Sequence, residues 1–228
     1  VDAVNSQLFC MDIEERGRRF KGRLTFWGEV DRQHVLPFGA VADVKVNASA
    51  NYHFYGAKIS GTGRLTKDGS GTLTLHNTND FTGDTRITNG ALVLGSPLAL
   101  SGSALDLNGA DSGTFSFGTQ TGAILGGLKG SRNLALTNDS GAPVELAIGN
   151  NNGSGTYSGT LSEAGNLTKL GTGTTTLSSA NTYSGGTTNR AGTLRVGSGS
   201  ALGTGPVVLG GGALSSDGTT DRTFASHF

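Results

Sequence analysis

The residues able to do acid–base, nucleophilic or metal chemistry are few in this chain and poorly spaced for it. The four histidines, His34, His53, His76 and His227, have no second His, Cys or carboxylate at metal-ligand spacing, and no HExxH occurs. Cys10 is the single cysteine, which rules out an intrachain disulfide. No Gly-x-Ser-x-Gly elbow joins a strand to a helix, and Gly153-Ser-Gly155 and Gly197-Ser-Gly199 read as turns. The Gly-rich runs lack the Lys-Ser/Thr of a phosphate loop. Carboxylates are the better candidates. Asp80, Asp84, Asp106 and Asp111 could gather on one face of a coiled chain, and glycoside cleavage needs two such groups flanking the scissile bond. Against that, the chain's own duplication puts Thr182 and Gly186 where Asp80 and Asp84 stand. The expectation is no catalytic set, no cofactor and no metal site.

The duplication lies at a fixed offset of 102 residues. Leu65-Thr-Lys-Asp-Gly-Ser-Gly-Thr-Leu-Thr-Leu75 aligns with Leu167-Thr-Lys-Leu-Gly-Thr-Gly-Thr-Thr-Thr-Leu177, and the match runs ungapped to Gly95 and Gly197 with 14 identities in 31 positions. Extension back to Tyr55 and Tyr157 gives 17 in 41. An ungapped period of this length marks a repeated structural unit, and such arrays build surfaces and stalks more often than catalytic pockets. Lys67 and Lys169 are the one charged pair shared by the copies. They read as solvent-facing or edge lysines that discourage lateral strand pairing, with ligand contact as the functional alternative. Asn79 and Asn181, followed by Phe81 and Tyr183, read as turn asparagines bonded to the turn backbone and aromatic anchors covering the rung.

The elements holding these residues are short strands. Leu73 and Leu75 alternate with Thr72 and Thr74, Leu105 and Leu107 flank Asp106, and Leu194 and Val196 flank Arg195. Period-two alternation over about four to six residues means a strand with one buried face. Between strands lie Asn108-Gly109, Asn89-Gly90 and Asn150-Asn-Asn-Gly153, which suit tight turns. Residues 59–228 hold 34 of the 39 glycines, far above the usual share of roughly 7%. Residues 1–58 hold 5 glycines, 15 of the 34 charged residues, and the single Cys, Met and Trp. Short strands linked by small turns can coil, each turn pairing with the next in parallel, aliphatic ladders inside and Thr, Ser and Asn outside. An antiparallel sandwich fits the turns locally, but the ungapped period favours the solenoid. With rungs about 4.8 Å apart and on the order of 20 residues per rung, the repeat region predicts eight or nine rungs, about 40 Å in length.

The stretch from Gly165 to Gly197, with its motifs Leu167-x-Lys169-x-Gly171-x-Gly173, Asn181-x-Tyr183-x-Gly185-x-Thr187 and Gly192-x-Leu194-x-Val196-Gly197, resembles the autotransporter-associated β-strand repeat of bacterial surface proteins. The first copy carries the middle motif as Asn79-x-Phe81-x-Gly83-x-Thr85. The resemblance covers about residues 55–215 and departs from the pattern at Thr175, usually aliphatic, and Asn189, usually Val or Ile. It implies an all-β, right-handed parallel β-helix acting as the stalk or passenger segment of a secreted, outer-membrane-anchored protein, supporting export and display.

The expected organisation is an N-terminal segment, residues 1–43, as cap or out-of-context leader, then a β-helix region over residues 44–228 with module copies at about 55–156 and 157–228. The abrupt ends read as a piece of a longer protein with a barrel or other anchor elsewhere. Trp27, Phe20, Phe26 and Phe38 could cover the first rung, and the end at residues 200–228 could self-associate. Net charge is zero, 17 against 17. The basic cluster Arg16, Arg18, Arg19, Lys21 and Arg23 follows Asp12, Glu14 and Glu15, so nucleic acid is not an expected partner. The alternatives to a stalk are an adhesin binding a host or matrix partner along the rod and a carbohydrate-active β-helix enzyme.

Overall fold

The computed structural model describes residues 23–26, 43–55 and 58–218. Expectations that fall elsewhere, including the cap in residues 1–43 apart from 23–26, the pair His34 and His227, Cys10, and the chain end past 218, lie outside the described residues. Among the described residues every element is a strand, twenty in all. Every strand pairing is parallel, the one antiparallel contact being an isolated bridge between Thr137 and Pro143. The expected all-β parallel solenoid is what forms.

One ladder runs the length of the rod. Its residues in register are Leu24, Val44, Leu65, Thr85, Leu105 and Leu128, then Gly130, Tyr157, Leu177, Val196 and Ser216. A second face stacks Tyr52, Leu73, Leu92 and Phe115. A third stacks Ala123, Leu146, Leu167, Thr187 and Val207. Alternate residues point inward in strands such as Arg64–Asp68, Ala91–Leu94, Glu145–Ile148 and Asn166–Lys169, and the core is one contiguous cluster of aliphatics from Leu65 to Val207 with Phe81, Phe117, Tyr157 and Tyr183 among them. Stacking buries each Leu against the Leu above and below, at about 25 cal/mol for each Å² of apolar surface removed from water. A thin rod thus gets a core without a large globule.

The two modules keep their internal register but not their face. Leu65 pairs with Thr85 and Leu73 with Leu92, and in the second copy Leu167 pairs with Thr187 and Thr175 with Leu194. Yet Leu65 belongs to the long ladder, whereas Leu167 belongs to the third face and Thr175 takes the long-ladder position. The turns between Leu65 and Thr175 take 20, 20, 23, 27 and 20 residues. Five turns therefore overshoot the 102-residue sequence period by eight residues, and the second copy sits rotated about the axis by one face. The two wide turns cause this. They contain the long strand Gly122–Gly130, which pairs with one face through Gly122–Ile124 and another through Gly127–Gly130, with a bulge between Leu125 and Gly127.

The Gly-x-Gly of the module has a steric reason. Gly69 and Gly171 turn the chain at φ of 77° and 63°, where a Cβ is strained. Gly71 and Gly173 lie against the rung below. A Cβ on Gly71 would collide with the Ala50 carbonyl and sit 2.8 Å from the Ala50 nitrogen, and one on Gly173 would collide with the Gly153 carbonyl, 2.6 Å from Asn152 O. Backbone cannot retreat from backbone when both are pinned in ladders. We expect Gly71→Ala and Gly173→Ala each to lower unfolding free energy in urea by about 2 kcal/mol or more, while Gly122→Ala, whose nearest neighbour would be 3.8 Å away, stays within about 0.5 kcal/mol. Equal effects at all three positions would refute the stacking explanation.

Candidate functional site

The shared lysines are not on the surface. Lys67 and Lys169 are both fully buried, which corrects the solvent-facing reading. Period-two alternation puts Lys67 on the same face as Leu65, between Val46 below and Ile87 above in the ladder. Lys169 sits likewise between Ile148 and Asn189. The butyl stem fills a ladder position as an aliphatic would. The ammonium then reaches the turn, where three backbone carbonyls receive it. Lys67 Nζ donates to Asp68 O and Gly69 O, each at 2.8 Å, and to Asn89 O at 3.2 Å. Lys169 Nζ donates to Leu170 O, to Gly171 O at 2.8 Å and to Ala191 O at 3.3 Å. An ammonium has three donors and no acceptor, so three carbonyls saturate it.

Two of each lysine's acceptors belong to its own turn and the third to the next rung, 22 residues on. The side chain is therefore an interior staple between turns. Burial pulls both ammonium pKa values below the ordinary range, with Asp68 opposing for Lys67. The carbonyl dipoles are what keep the charge tolerable inside.

The asparagines form a second staple. Asn79 Oδ1 accepts from Ile59 N at 2.9 Å on the rung below, and Asn79 Nδ2 donates to Ala99 O at 2.9 Å on the rung above. Asn181 repeats this with Leu161 N at 2.7 Å and Ala201 O at 2.6 Å. Each therefore ties three consecutive rungs together, a wider role than bonding its own turn, although Asn79 also donates to Asn77 O at 3.2 Å. Phe81 and Tyr183 are buried beside them as expected. Asn189, where an aliphatic was expected, stays inside and donates from Nδ2 to Ala213 O at 2.8 Å, so it bonds upward as the lysine one rung below does.

Tyr183 and Tyr157 give this interior a pH signature. Tyr183 bonds Thr187 Oγ1, and Tyr157 donates to Arg132 O at 2.7 Å. Burial raises both phenol pKa values well above 10.0. Above about pH 10 the unfolded chain releases these protons while the folded chain holds them, so the tyrosine contribution is complete below pH 10 and falls as pH rises. The buried lysines act in the opposite sense and at lower pH: their folded pKa values are lowered, so their contribution rises with pH until the unfolded value of 10.5 is passed. The difference between proteins isolates the tyrosines: a Tyr157→Phe, Tyr183→Phe variant should lose stability less steeply than wild type between pH 10 and 12 in urea titrations. Parallel curves would show that neither phenol is desolvated. Phe81 already occupies the equivalent of Tyr183 in the first copy, so the replacement suits the fold.

Asp84, Asp106 and Asp111 share one outward network with Lys129 and Arg86, and Asp80 stands apart with Lys58. Asp80 pairs with Lys58 at 2.7 Å, Asp84 with Lys129 at 2.9 Å, and Asp111 with Arg86 through two bonds of 2.6 and 2.8 Å. Asp106 lies between Arg86 and Lys129 in the outward register of the long ladder. Each candidate is set against a cation. The Lys58 ammonium and Ser60 hydroxyl hold the Asp80 carboxyl below its usual range, the reverse of what a general acid needs. Among the described residues no group of three or more His, Cys, Asp or Glu could hold a metal.

The motif-bearing segments match the passenger-associated-transport-repeat family at residues 65–94 and 167–196, spanning both staples in each copy. A curated relative, the adhesin BmaC autotransporter of Brucella suis biovar 1 (strain 1330), is 40% identical over 221 residues, covering 89% of this chain. The chain spans 6% of the length of that relative. No solved structure matches it. With the motifs matched twice, and with the paired Lys67 and Lys169 and the paired Asn79 and Asn181 given the same structural tasks, residues 65–94 and 167–196 are two copies of the passenger-associated-transport-repeat.

Proposed function

We propose that this chain is a rigid stalk segment of an autotransporter passenger, displayed on a bacterial surface, and that its folding assists export. Residues 44–228 are read as the repeat region, carrying two module copies behind the segment 1–43. The observation that carries the reading is the interior staple: Lys67 and Lys169 bond the next turn's carbonyl, so each rung added is fixed to the last from within. A chain emerging through an outer membrane and folding rung by rung gains stability with each turn, and the folded part resists sliding back.

The test fuses this chain ahead of an autotransporter β-barrel and measures, by protease shaving of intact cells, how much of an N-terminal epitope reaches the surface. The Lys67→Met, Lys169→Met pair should display several-fold less than wild type at equal total synthesis. Equal display would remove the export role.

Adhesion is the second reading, favoured by the similarity to an autotransporter adhesin. It predicts saturable binding of the purified chain to host or matrix material, whereas a plain stalk shows none. Catalysis is set aside because Asp80, Asp84 and Asp111 are each ion-paired and Asp106 is flanked by cations. Polysaccharide turnover that disappears in Asp111→Asn would restore it. A membrane anchor in the parent protein, the absence of a nucleic-acid partner and end-to-end association of the rod are parts of the stalk proposal, and a host or matrix ligand belongs to the adhesion reading.

A further inference from the structure

The outer surface of the first module carries a group that the second lacks. His53, on the strand Tyr52–Phe54, and His76, just past the strand Thr72–Leu75 one rung on, stand side by side with His53 Nδ1 and His76 Nε2 3.0 Å apart. Their ring centroids are 5.3 Å apart and the planes are tilted by 31°. Tyr55 stacks on His76 with centroids 3.9 Å apart and an interplanar angle of 14°. His53 and Tyr55 are exposed and His76 is partly so. At the equivalent positions the second copy has Gly155 and Ser178, and it keeps the same strand register without them. The solenoid therefore does not require the imidazole pair.

We propose that His53 and His76 form a two-histidine site for a divalent transition-metal ion that favours right-angle coordination, Cu(II) or Ni(II), with water completing the shell. Imidazole nitrogens bind such metals at about 2.0–2.1 Å, so two ligands at right angles are separated by about 2.8–3.0 Å and two tetrahedral ones by about 3.3–3.4 Å. As the rings stand, the 3.0 Å between the nitrogens equals the right-angle edge and is shorter than the tetrahedral one, so a small turn of the rings suffices to share an ion. The nitrogens now share a hydrogen bond, and turning both lone pairs toward a common ion needs rotation about χ2, which is a broad and inexpensive torsion for histidine. Tyr55 packs one face of His76 and holds that ring near its present place, so most of the turn falls to His53. The strands beneath are fixed in register, Tyr52 with Leu73 and Phe54 with Leu75, so the ligand spacing is preorganised by the rungs.

The experiment titrates the whole chain with CuCl2 and, separately, NiCl2 by calorimetry, beside His53→Gln and His76→Ser variants whose fold is checked by circular dichroism. Serine is the residue the second copy uses at that place. Wild type should bind one ion more than either variant, or bind its tightest ion at least about tenfold more strongly, given that losing even an outer-shell partner of a metal ligand costs 10–100-fold. The Cu(II) resonance spectrum of wild type should show a tetragonal centre with two nitrogen ligands, and each variant should lose one. Identical stoichiometry and affinity in all three proteins, or no ion bound by wild type, would overturn the proposal.

Discussion

Replacing Lys67 with Met should destabilise the chain by about 2 kcal/mol or more, because carbonyls in a partly buried turn that lose their donor cost about 1–3 kcal/mol each. Methionine retains the stem's packing volume in the ladder between Val46 and Ile87, so the loss reports the ammonium alone. Gly69 O and Asn89 O lose the donor that reaches them, while Asp68 O still accepts from Ala48 N at 2.9 Å. Exchanging a whole buried ion pair for hydrophobic residues is often harmless. Here the acceptors are backbone and cannot be removed, which is why the effect goes the other way. Arginine should not rescue. The cage is tight enough that a Cβ on Gly90 would lie 2.7 Å from Lys67 Nζ, leaving no room for a planar fork. Urea unfolding of Lys67→Met and Lys169→Met measures this. A Met variant within about 1 kcal/mol of wild type would mean that the ammonium is not bonded as described. The two sites are far apart along the rod, so their effects should add.

Asn181→Ala should cost about 2–4 kcal/mol, since the Leu161 N–H and the Ala201 C=O, both buried, lose their partner at once. Asn181→Asp should be at least as damaging in spite of its matching shape. Its first oxygen can still accept from Leu161 N, but its second would face the Ala201 carbonyl oxygen where an N–H now donates. Protonating the aspartate restores a donor there, so the Asp variant should recover part of its stability as pH is lowered, and the Ala variant should not. If both variants respond alike to pH, the three-rung bridge is absent. Hydrogen exchange should show the loss in the rungs carrying Leu161 and Ala201, since a solenoid's rungs interact with their neighbours.

The sequence alone made the strands, their inward faces and the module register legible. Alternation placed Leu65, Leu73, Leu75, Leu92 and Leu94 inside, with Leu167, Leu177, Leu194 and Val196, and all are buried. Alternation also put Lys67 on the Leu65 side. A lone charge on an apolar face is too costly to accept without acceptors, and its acceptors include Asn89, 22 residues away on another rung. That partner is set by coil circumference, a property of the stacked structure rather than of any window of residues. The same holds for Asn79, whose bonds to Ile59 and Ala99 lie 20 residues to either side, and for His53 and His76, 23 residues apart and meeting across neighbouring rungs. The rotation of the second module was equally hidden. An ungapped period of 102 residues fixes what each module is, but the face it occupies depends on how many residues the turns between consume. Two wide turns, carrying the bulge between Leu125 and Gly127, decided that. Local pattern determines which side of a strand is wet, because side-chain alternation is intrinsic to the chain. Contacts between rungs depend on closure of each turn, and only the folded coil sets that length.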